Sequence, residues 1–149
     1  MALLVGVALK NPQSTYAGLQ KSLQQEWAFV QRATLGVGTA FSSVEEALQD
    51  VFLPAFFRGL TEGLPTRVNT RLPVNQVGLA IPDQFQTAPE NWMASCVITG
   101  HLVAALRGQN TFRTADHMSC LRGGRLAVRH RGELRAEAAL TAALEGGPV

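Results

Sequence analysis

Prolines and glycines interrupt the middle of this chain and set the strongest limit on its fold. Prolines stand at positions 65, 73, 82 and 89, and glycines at 63 and 78. Because proline lacks an amide hydrogen and its ring clashes with the preceding helical turn, no long helix can cross residues 59–89. We therefore predict an irregular loop with short turns there. Residues 75–81 could hold a short strand or hairpin, but the chain offers no obvious partner strand, so we expect no sheet.

Apolar residues recur every three or four positions before this loop, which predicts a first helix over residues 14–34. Its inward residues are predicted to be Leu19, Leu23, Trp27 and Val30. Its outward residues are predicted to be Lys21, Gln24, Gln25 and Gln31. Gly36 and Gly38 are expected to end this helix, since glycine tolerates the left-handed conformation that closes a helix.

A second helix is predicted to start at Ser42 and Ser43, which have the spacing of a capping box with Glu45 and Glu46. Its inward face is predicted to contain Val44, Ala47, Leu48, Val51 and Phe52. Pro54 predicts a kink or a break. The nearby aromatic residues Phe52, Phe56 and Phe57 are interpreted as core rather than as a platform for stacking bases, because no basic residues alternate with them.

Two further helices are predicted after the loop. The third starts near Thr87 and Glu90, accepts Pro89 in its first turn and ends at Gly108. Its inward residues are predicted to be Met93, Cys96, Val97 and Val103, with Trp92 and Leu106 near its ends. The fourth is alanine-rich, and its narrow apolar face is predicted to contain Leu126, Leu134, Leu140 and Leu144. Residues 146–149 are expected to be a flexible tail.

The fold class predicted from these patterns is mainly α: a small bundle of about four helices with an irregular Pro/Gly-rich middle segment. Residues 1–10 form an apolar N-terminal segment, 11–108 a helical region, and 109–149 a basic, alanine-rich helical segment. A chain of 149 residues with 46% hydrophobic residues suits a single domain. Its two cysteines are typical of an intracellular protein. No apolar stretch reaches about 18 residues, so a membrane is not an expected partner.

Positive charge concentrates between residues 100 and 135. This stretch contains seven arginines and two acidic residues, Asp116 and Glu133, which leaves a formal charge of +5. The arginines are Arg107, Arg113, Arg122, Arg125, Arg129, Arg131 and Arg135. Arginine forms bidentate hydrogen bonds with phosphate oxygens, which indicates nucleic-acid binding. A helix face that is merely solvated is the alternative interpretation.

No active site or cofactor site is predicted. A metal site would need Cys96, His101, His117 and Cys120, which occur as two pairs of suitable ligands. Cys96 and His101 lie five residues apart, about 140° around a helix, so one face does not present both. We therefore interpret Cys96 as a core residue and His117 as a surface residue. The chain also lacks a phosphate-binding loop and the sequence context of a nucleophilic serine.

Four segments carry a resemblance to a known family. The first contains Glu26, Trp27, Phe29, Val30, Arg32 and Thr34. The second contains Val44, Glu45, Glu46, Ala47, Leu48, Phe52, Leu53, Pro54 and Ala55. The third contains Leu72, Pro73, Val74, Gly78, Leu79, Ile81 and Pro82, and the fourth contains Thr87, Ala88, Ser95 and residues 102–106. In this order, over about residues 11–108, they resemble the region downstream of the reverse transcriptase domain in non-LTR-type retroelement polyproteins.

This resemblance implies a detached, non-catalytic accessory region, because the catalytic aspartates of the polymerase are absent. Its implied partners are RNA or DNA and a reverse transcriptase domain, and self-association is also expected. The alternative is a helical interaction or structural module without a nucleic-acid role. Val77 and Ala80 stand where the family tends to have glycines. If the backbone has positive φ at these positions, each replacement costs about 1 kcal/mol or more.

Overall fold

The structure, a computed structural model, describes residues 2–57, 67–76 and 78–145. The described residues form helices and no strand. The short helices are α1 (Ala2–Ala8) and α4 (Arg67–Arg71). The four long ones are α2 (12–33), α3 (42–56), α5 (Gln84–Leu106) and α6 (Thr114–Glu145). The predicted mainly α bundle of about four helices is therefore confirmed.

Helix α2 follows the local signals in the sequence closely. Asn11 caps it by accepting a hydrogen bond from the Ser14 amide at 3.1 Å, and Pro12 occupies the first turn, where no partner for its missing amide hydrogen is needed. The helix contains a π-helical turn at Leu19–Leu23 and continues as an α-helix over Gln24–Ala33. Gly36, with φ of 71°, follows its end as predicted. Gly38 instead lies within a 3₁₀ turn, Val37–Phe41.

The predicted inward face of α2 is only partly correct. Leu19 is fully buried, and Leu23 and Trp27 pack against the core. Val30, however, is 39% exposed, whereas Gln31, predicted to face outward, is fully buried. Gln31 is buried because α2 contacts α5 through the hydrogen-bonded side-chain amide of this residue. A polar side chain therefore occupies the contact.

The capping box predicted for α3 is wrong. The hydroxyl groups of Ser42 and Ser43 donate backward to the carbonyl oxygens of Thr39 and Ala40, at 2.8 and 3.1 Å. The preceding 3₁₀ turn runs directly into Ser42–Ala47, so the helix start does not need a side-chain cap there. The carboxylate of Glu45 is instead engaged by Arg67.

Pro54 does not break α3. A π-helical turn at Leu48–Phe52 comes immediately before it, and Leu53–Phe56 continues as α-helix. The wider π turn changes the hydrogen-bond register at this point, which accommodates the missing amide hydrogen of proline. Leu48 and Phe52 are fully buried as predicted, but Val51 is 48% exposed.

Helix α5 begins earlier than predicted. Asp83 is its N-cap and accepts a hydrogen bond from the Gln86 amide at 3.0 Å, so Pro89 lies inside the helix rather than in its first turn. The helix ends as predicted at Gly108, whose φ is 72°. There the amides of Gly108 and Gln109 donate to the carbonyls of Ala105 and Ala104, which is the Schellman pattern of helix closure.

The predicted inward faces of α5 and α6 are wrong. The outward residues of α5 include Met93, Cys96, Val97, Val103 and Leu106. In α6, which begins at Thr114, the exposed residues include Leu126, Leu134, Leu140 and Leu144. At their contact α6 presents a glycine to Ile98 of α5, because a Cβ added to Gly124 would lie 2.5 Å from Ile98 Cγ1. The Ile98 side chain fills the space at this contact and leaves no room for a second large side chain there.

The main hydrophobic core lies between α1, α2, α3 and the segment that leads into α5. Its fully buried members are Ala8, Leu19, Leu48, Phe52 and Ile81, with Leu53 nearly buried. Phe56 and Phe57 pack against it, and the rings of Phe52 and Phe56 are stacked with centroids 5.7 Å apart. These aromatic residues are therefore core, as predicted.

The segment before α5 is irregular, as predicted, and holds a short 3₁₀ turn, Val74–Gln76, rather than a strand. The amide of Ala80 donates to the Leu72 carbonyl at 2.8 Å, and the Tyr16 hydroxyl donates to the Leu79 carbonyl at 2.7 Å. Gly78 is required here, since any Cβ would collide with the backbone of Leu72. Residues 59–66 of the predicted loop, the position of Val77 and the tail 146–149 lie outside the described residues.

No helix in the described ranges combines the length and hydrophobicity that crossing a membrane requires.

Candidate nucleic-acid interface

The seven arginines predicted to bind nucleic acid do not form one surface. Five of them lie on α6, where each residue advances about 100° around the axis. Arg122, Arg125 and Arg129 share one stripe of this helix, whereas Arg131 and Arg135 are half-buried on another side. The remaining two, Arg107 and Arg113, are exposed at either end of the connection between α5 and α6.

Two arginines of the stripe line a groove together with an arginine from α2. The groove has a volume of about 430 Å³, and its basic residues are Arg32, Arg125 and Arg129. Its other lining residues are Ala94, Ser95, Ile98, Leu121 and Val128. Three arginines from two distant parts of the sequence thus line a groove that also contains apolar residues and one serine.

The close packing of α5 against α6 helps to position this groove. At Gly124 the two helices approach until Ile98 occupies the space that a side chain would need. Arg125 follows directly, and Arg129 lies one helical turn further on, so both emerge next to the contact line. Arg32 lies near the end of α2, which also packs against α5.

Ion pairs engage some of the arginines. Arg129 pairs with Glu133 at 2.8 Å, but both side chains are more than half exposed. Such a pair contributes little stability in water, so Arg129 can exchange Glu133 for a stronger anionic partner. Arg113 lies 3.8 Å from Asp116. Arg135 pairs with Glu90 at 2.7 Å and thereby joins α6 to α5, which is a structural role.

An exposed aromatic residue precedes the groove-lining Arg32 in α2. Phe29 is 71% exposed, the highest exposure of any aromatic side chain in the described part of the chain. It precedes Arg32 by three residues in α2, and residues three apart are neighbours on a helix surface. Arg32 is not among the predicted site residues, because the predicted basic stretch covers only residues 100–135. No local pattern links Arg32 to that stretch, since only the packing of α2 and α6 on α5 brings them to one groove.

A second cluster of charged residues stabilises the fold. Glu45 accepts hydrogen bonds from Arg67 Nε at 2.6 Å and Arg67 Nη2 at 3.0 Å. Arg71 bridges Glu45 and Asp83 at 3.1 and 2.7 Å. Arg67 also donates to the carbonyl oxygens of Ile81 and Pro82. Since these groups are mostly buried and mutually paired, we assign them to the stability of the irregular segment.

The pKa of Glu45 reflects two opposing effects. Burial disfavours the charged carboxylate and acts to raise the pKa. The hydrogen bonds and positive charges of Arg67 and Arg71 act in the other direction and together outweigh burial. The net pKa of Glu45 is therefore lowered, and the carboxylate is charged at neutral pH.

The four residues considered for a metal site are not arranged as one. Cys96, predicted to be core, is exposed, because it lies on the outward face of α5. His117, predicted to be a surface residue, is half-buried against the ring of Phe112, with centroids 5.8 Å apart. His101 Nε2 accepts a hydrogen bond from the Arg113 amide at 3.2 Å. Within the described ranges, no three His, Cys, Asp or Glu side chains are grouped to hold a metal ion.

No protein-family model matches the chain, and no curated protein or solved structure shows significant similarity to it. The functional interpretation of the chain therefore depends on the groove between α2, α5 and α6.

Proposed function

We propose that this protein is a non-catalytic accessory module, derived from the region downstream of a retroelement reverse transcriptase, that contacts nucleic-acid phosphates. The observation that carries the proposal is the convergence of Arg32, Arg125 and Arg129 on one groove. The order of the four family-like segments supports the retroelement origin.

The donor groups of such a groove suit a phosphate ligand. Guanidinium groups present paired N–H donors that match phosphate oxygens, and several of them along a groove can follow a charged backbone. Arg122 extends the row by one further turn beyond Arg125. The apolar lining formed by Ile98, Leu121 and Val128 provides a surface for sugars or bases between the phosphates.

Binding should be measured by fluorescence anisotropy of labelled RNA and DNA at two salt concentrations. The variant Arg125→Gln/Arg129→Gln removes two groove charges, and Arg107→Gln/Arg113→Gln removes two charges outside the groove. We expect the affinity of the wild type to fall steeply with salt. The groove variant should bind weakly and show a salt slope smaller by roughly 0.7–0.9 per lost contact, whereas the control should keep most of the affinity.

Arg32→Gln provides the sharper test, because Arg32 lies outside the basic third of the sequence. If nucleic acid binds in the groove, this single change should weaken binding as much as Arg125→Gln. If binding instead depends only on the general positive charge of α6, Arg32→Gln should have no more effect than Arg107→Gln. That result, or no binding at low salt, would overturn the proposal.

A second candidate function is that of a helical interaction module, and the outward face of α5 favours it. Phe85, Met93, Val97 and Val103 are between 38% and 60% exposed along this face. No Asp, Glu, Lys or Arg occurs between Glu90 and Arg107. A continuous uncharged apolar face of this kind is typical of a protein-binding surface.

Sedimentation equilibrium tests this second candidate through self-association. If the α5 face binds another copy, the apparent mass should rise with concentration, and Met93→Glu/Val97→Glu should abolish the increase. Leu126→Glu/Leu134→Glu, which adds the same charges on α6, should leave the association unchanged. A protein that stays monomeric and also fails to bind a reverse transcriptase domain would contradict this candidate.

A further inference from the structure

We propose that a cleft lined by α2, the irregular segment and α6 binds a small, uncharged and mainly apolar molecule that carries a carbonyl oxygen. This alanine cleft, named after Ala136, Ala139 and Ala142 of α6, has a volume of about 570 Å³. Within the described part of the chain, it shares no lining residue with the arginine groove. The inference is therefore independent of nucleic-acid binding and adds a second kind of ligand.

The lining of the alanine cleft is mostly apolar. The irregular segment contributes Pro73, Ala80 and Pro82, and α6 contributes Gly132 and the three alanines. The small side chains on α6 leave the space open. A volume between roughly 300 and 1,000 Å³, with an apolar lining and a few polar groups, is typical of small-ligand sites. The size and the lining of the cleft therefore suit a compact molecule with an apolar body.

Two of the lining residues carry hydrogen-bond donors that lack acceptors. Gln24 Nε2 and Arg71 Nε are both buried, and neither has a hydrogen-bond partner among the described residues. A buried donor without an acceptor is destabilising, and proteins rarely keep one without a further partner. The oxygen of a carbonyl group has two lone pairs and can accept from both donors. These two groups therefore indicate a ligand that offers a hydrogen-bond acceptor.

Both arginines that line the cleft are already paired with carboxylates. Arg71 Nη2 lies 2.7 Å from Asp83 and 3.1 Å from Glu45, and Arg135 Nη1 lies 2.7 Å from Glu90. An anionic ligand would add a negative charge beside the buried carboxylate of Asp83. Taking a charge out of water is costly when no opposite charge is free to pair with it. The ion pairs of the cleft therefore favour an uncharged ligand.

The test titrates the protein with methyl heptyl ketone, isotope-labelled at its carbonyl carbon, and follows binding by NMR. The ketone should bind saturably, with a downfield shift of the carbonyl carbon as its oxygen accepts hydrogen bonds. Octanoate has the same heptyl chain but a charged oxygen in place of the methyl group, and it should bind about tenfold more weakly. Octanoate that binds as tightly as the ketone, or a ketone that does not bind saturably, would overturn the inference.

A matched pair of substitutions on α6 locates the bound ketone. Ala139→Leu places a larger side chain in the cleft and should weaken ketone binding by about tenfold or more. Ala127→Leu makes the same change at an exposed position that does not line the cleft, and it should have no effect. Circular dichroism checks that both variants are folded. Equal ketone binding by the two folded variants would place the ketone elsewhere and overturn the inference.

Gln24→Leu separates hydrogen bonding from apolar contact. It should weaken ketone binding about fivefold and reduce the shift of the carbonyl carbon, because one donor is lost. Apolar contact alone would leave binding unchanged or tighten it, and that result would overturn the inference. Without ligand, the variant should be at least as stable in urea as the wild type, because it removes a buried donor without an acceptor. A clear loss of stability would show that the amide already has a partner, which also contradicts the inference.

Discussion

The Cγ1 and Cδ1 atoms of Ile98 lie 2.5 and 2.9 Å from the point where a Cβ on Gly124 would stand. Helices α5 and α6 therefore touch at a position that only glycine can occupy without displacing Ile98. Since both helices border the arginine groove, this contact determines how closely Arg125 approaches the α5 side of the groove. A side chain at residue 124 would therefore require Ile98 to move.

We expect Gly124→Ala to destabilise the protein by roughly 1–3 kcal/mol, because the added methyl group overpacks the helix contact. Gly123→Ala is the matched control, since nothing lies within 4 Å of its added Cβ. That neighbouring change should stabilise the helix by up to about 1 kcal/mol. Urea denaturation measures both effects. Adding Ile98→Ala should relieve part of the clash, and a Gly124→Ala variant as stable as Gly123→Ala would contradict the close contact.

Ala80 is the only residue other than glycine with positive φ among those that the structure describes, at 49°. The resemblance described above predicts that alanine at this position costs free energy if the backbone has positive φ. We expect Ala80→Gly to raise the free energy of unfolding by about 0.5–1 kcal/mol, because glycine adopts this conformation without steric cost. Thermal or urea denaturation measures the change.

Gly36→Ala should have the opposite effect and serves as the control for Ala80→Gly. Gly36 has φ of 71°, and no atom lies within 4 Å of an added Cβ, so any loss reflects the backbone alone. We expect a loss of about 1 kcal/mol. If Ala80→Gly destabilised the protein, the segment that joins Leu72 to Ile81 would depend on the alanine side chain rather than on its backbone.

The ion pair between Glu45 and Arg67 should make stability sensitive to acid. Because the pKa of Glu45 is lower in the folded state than in the unfolded chain, the stabilisation is complete above the pKa of the unfolded chain. It is lost as the pH falls through the lowered pKa of the folded state. Glu45→Gln should therefore reduce the acid dependence of unfolding, measured by urea titrations between pH 7 and 3.

At neutral pH the same change should destabilise the fold by about 3–5 kcal/mol, because Arg67 is left buried without its anion. Glu46→Gln is the control, since Glu46 is the exposed neighbour in the same helix. It should have little effect on stability at any pH in this range. A Glu45→Gln variant that unfolded in acid just as the wild type does would show that other carboxylates govern acid denaturation.

Local signals were sufficient for the helix class and for several helix ends. Gly36 and Gly108 end helices as predicted, because their φ values near 70° are a property of the residue itself. The N-cap of α5 was misplaced at Thr87, since Asp83 and Thr87 both have suitable side chains and only the tertiary position of Asp83 decides between them. The hydroxyl of Thr87 donates to the Asp83 carbonyl, inside the helix.

Hydrophobic spacing failed for the faces of α5 and α6 for a physical reason. These faces meet other helices through Ala88, Ala94 and Gly124, whose small size allows close contact. A pattern that assigns large apolar residues to the interior therefore selects the wrong side, as it did with Met93 and Val97. The candidate site was equally difficult to predict, because Arg32 and Arg125 are far apart in sequence and only packing brings them to one groove.

The buried amide of Gln31 is the clearest example of a contact that hydrophobicity does not reveal. Its Nε2 donates to the Gln84 carbonyl at 3.0 Å and to Gln84 Oε1 at 3.1 Å, and its Oε1 accepts from Asn91 Nδ2 at 2.6 Å. Helices α2 and α5 are thus joined by a hydrogen-bonded polar group that is fully buried. Replacing it with a leucine would remove the partners of Asn91 and Gln84 together.

We expect Gln31→Leu to destabilise the protein by roughly 2–4 kcal/mol, because each polar group left buried without a partner costs about 1–3 kcal/mol. Gln25→Leu, at an exposed position of the same helix, should change stability by less than about 0.5 kcal/mol. Urea denaturation of the two variants gives the comparison directly. Since α2 carries Arg32, Gln31→Leu should also weaken nucleic-acid binding, whereas Gln25→Leu should not. Equal stabilities of the two variants would mean that Gln31 is solvated and that α2 and α5 are held together elsewhere.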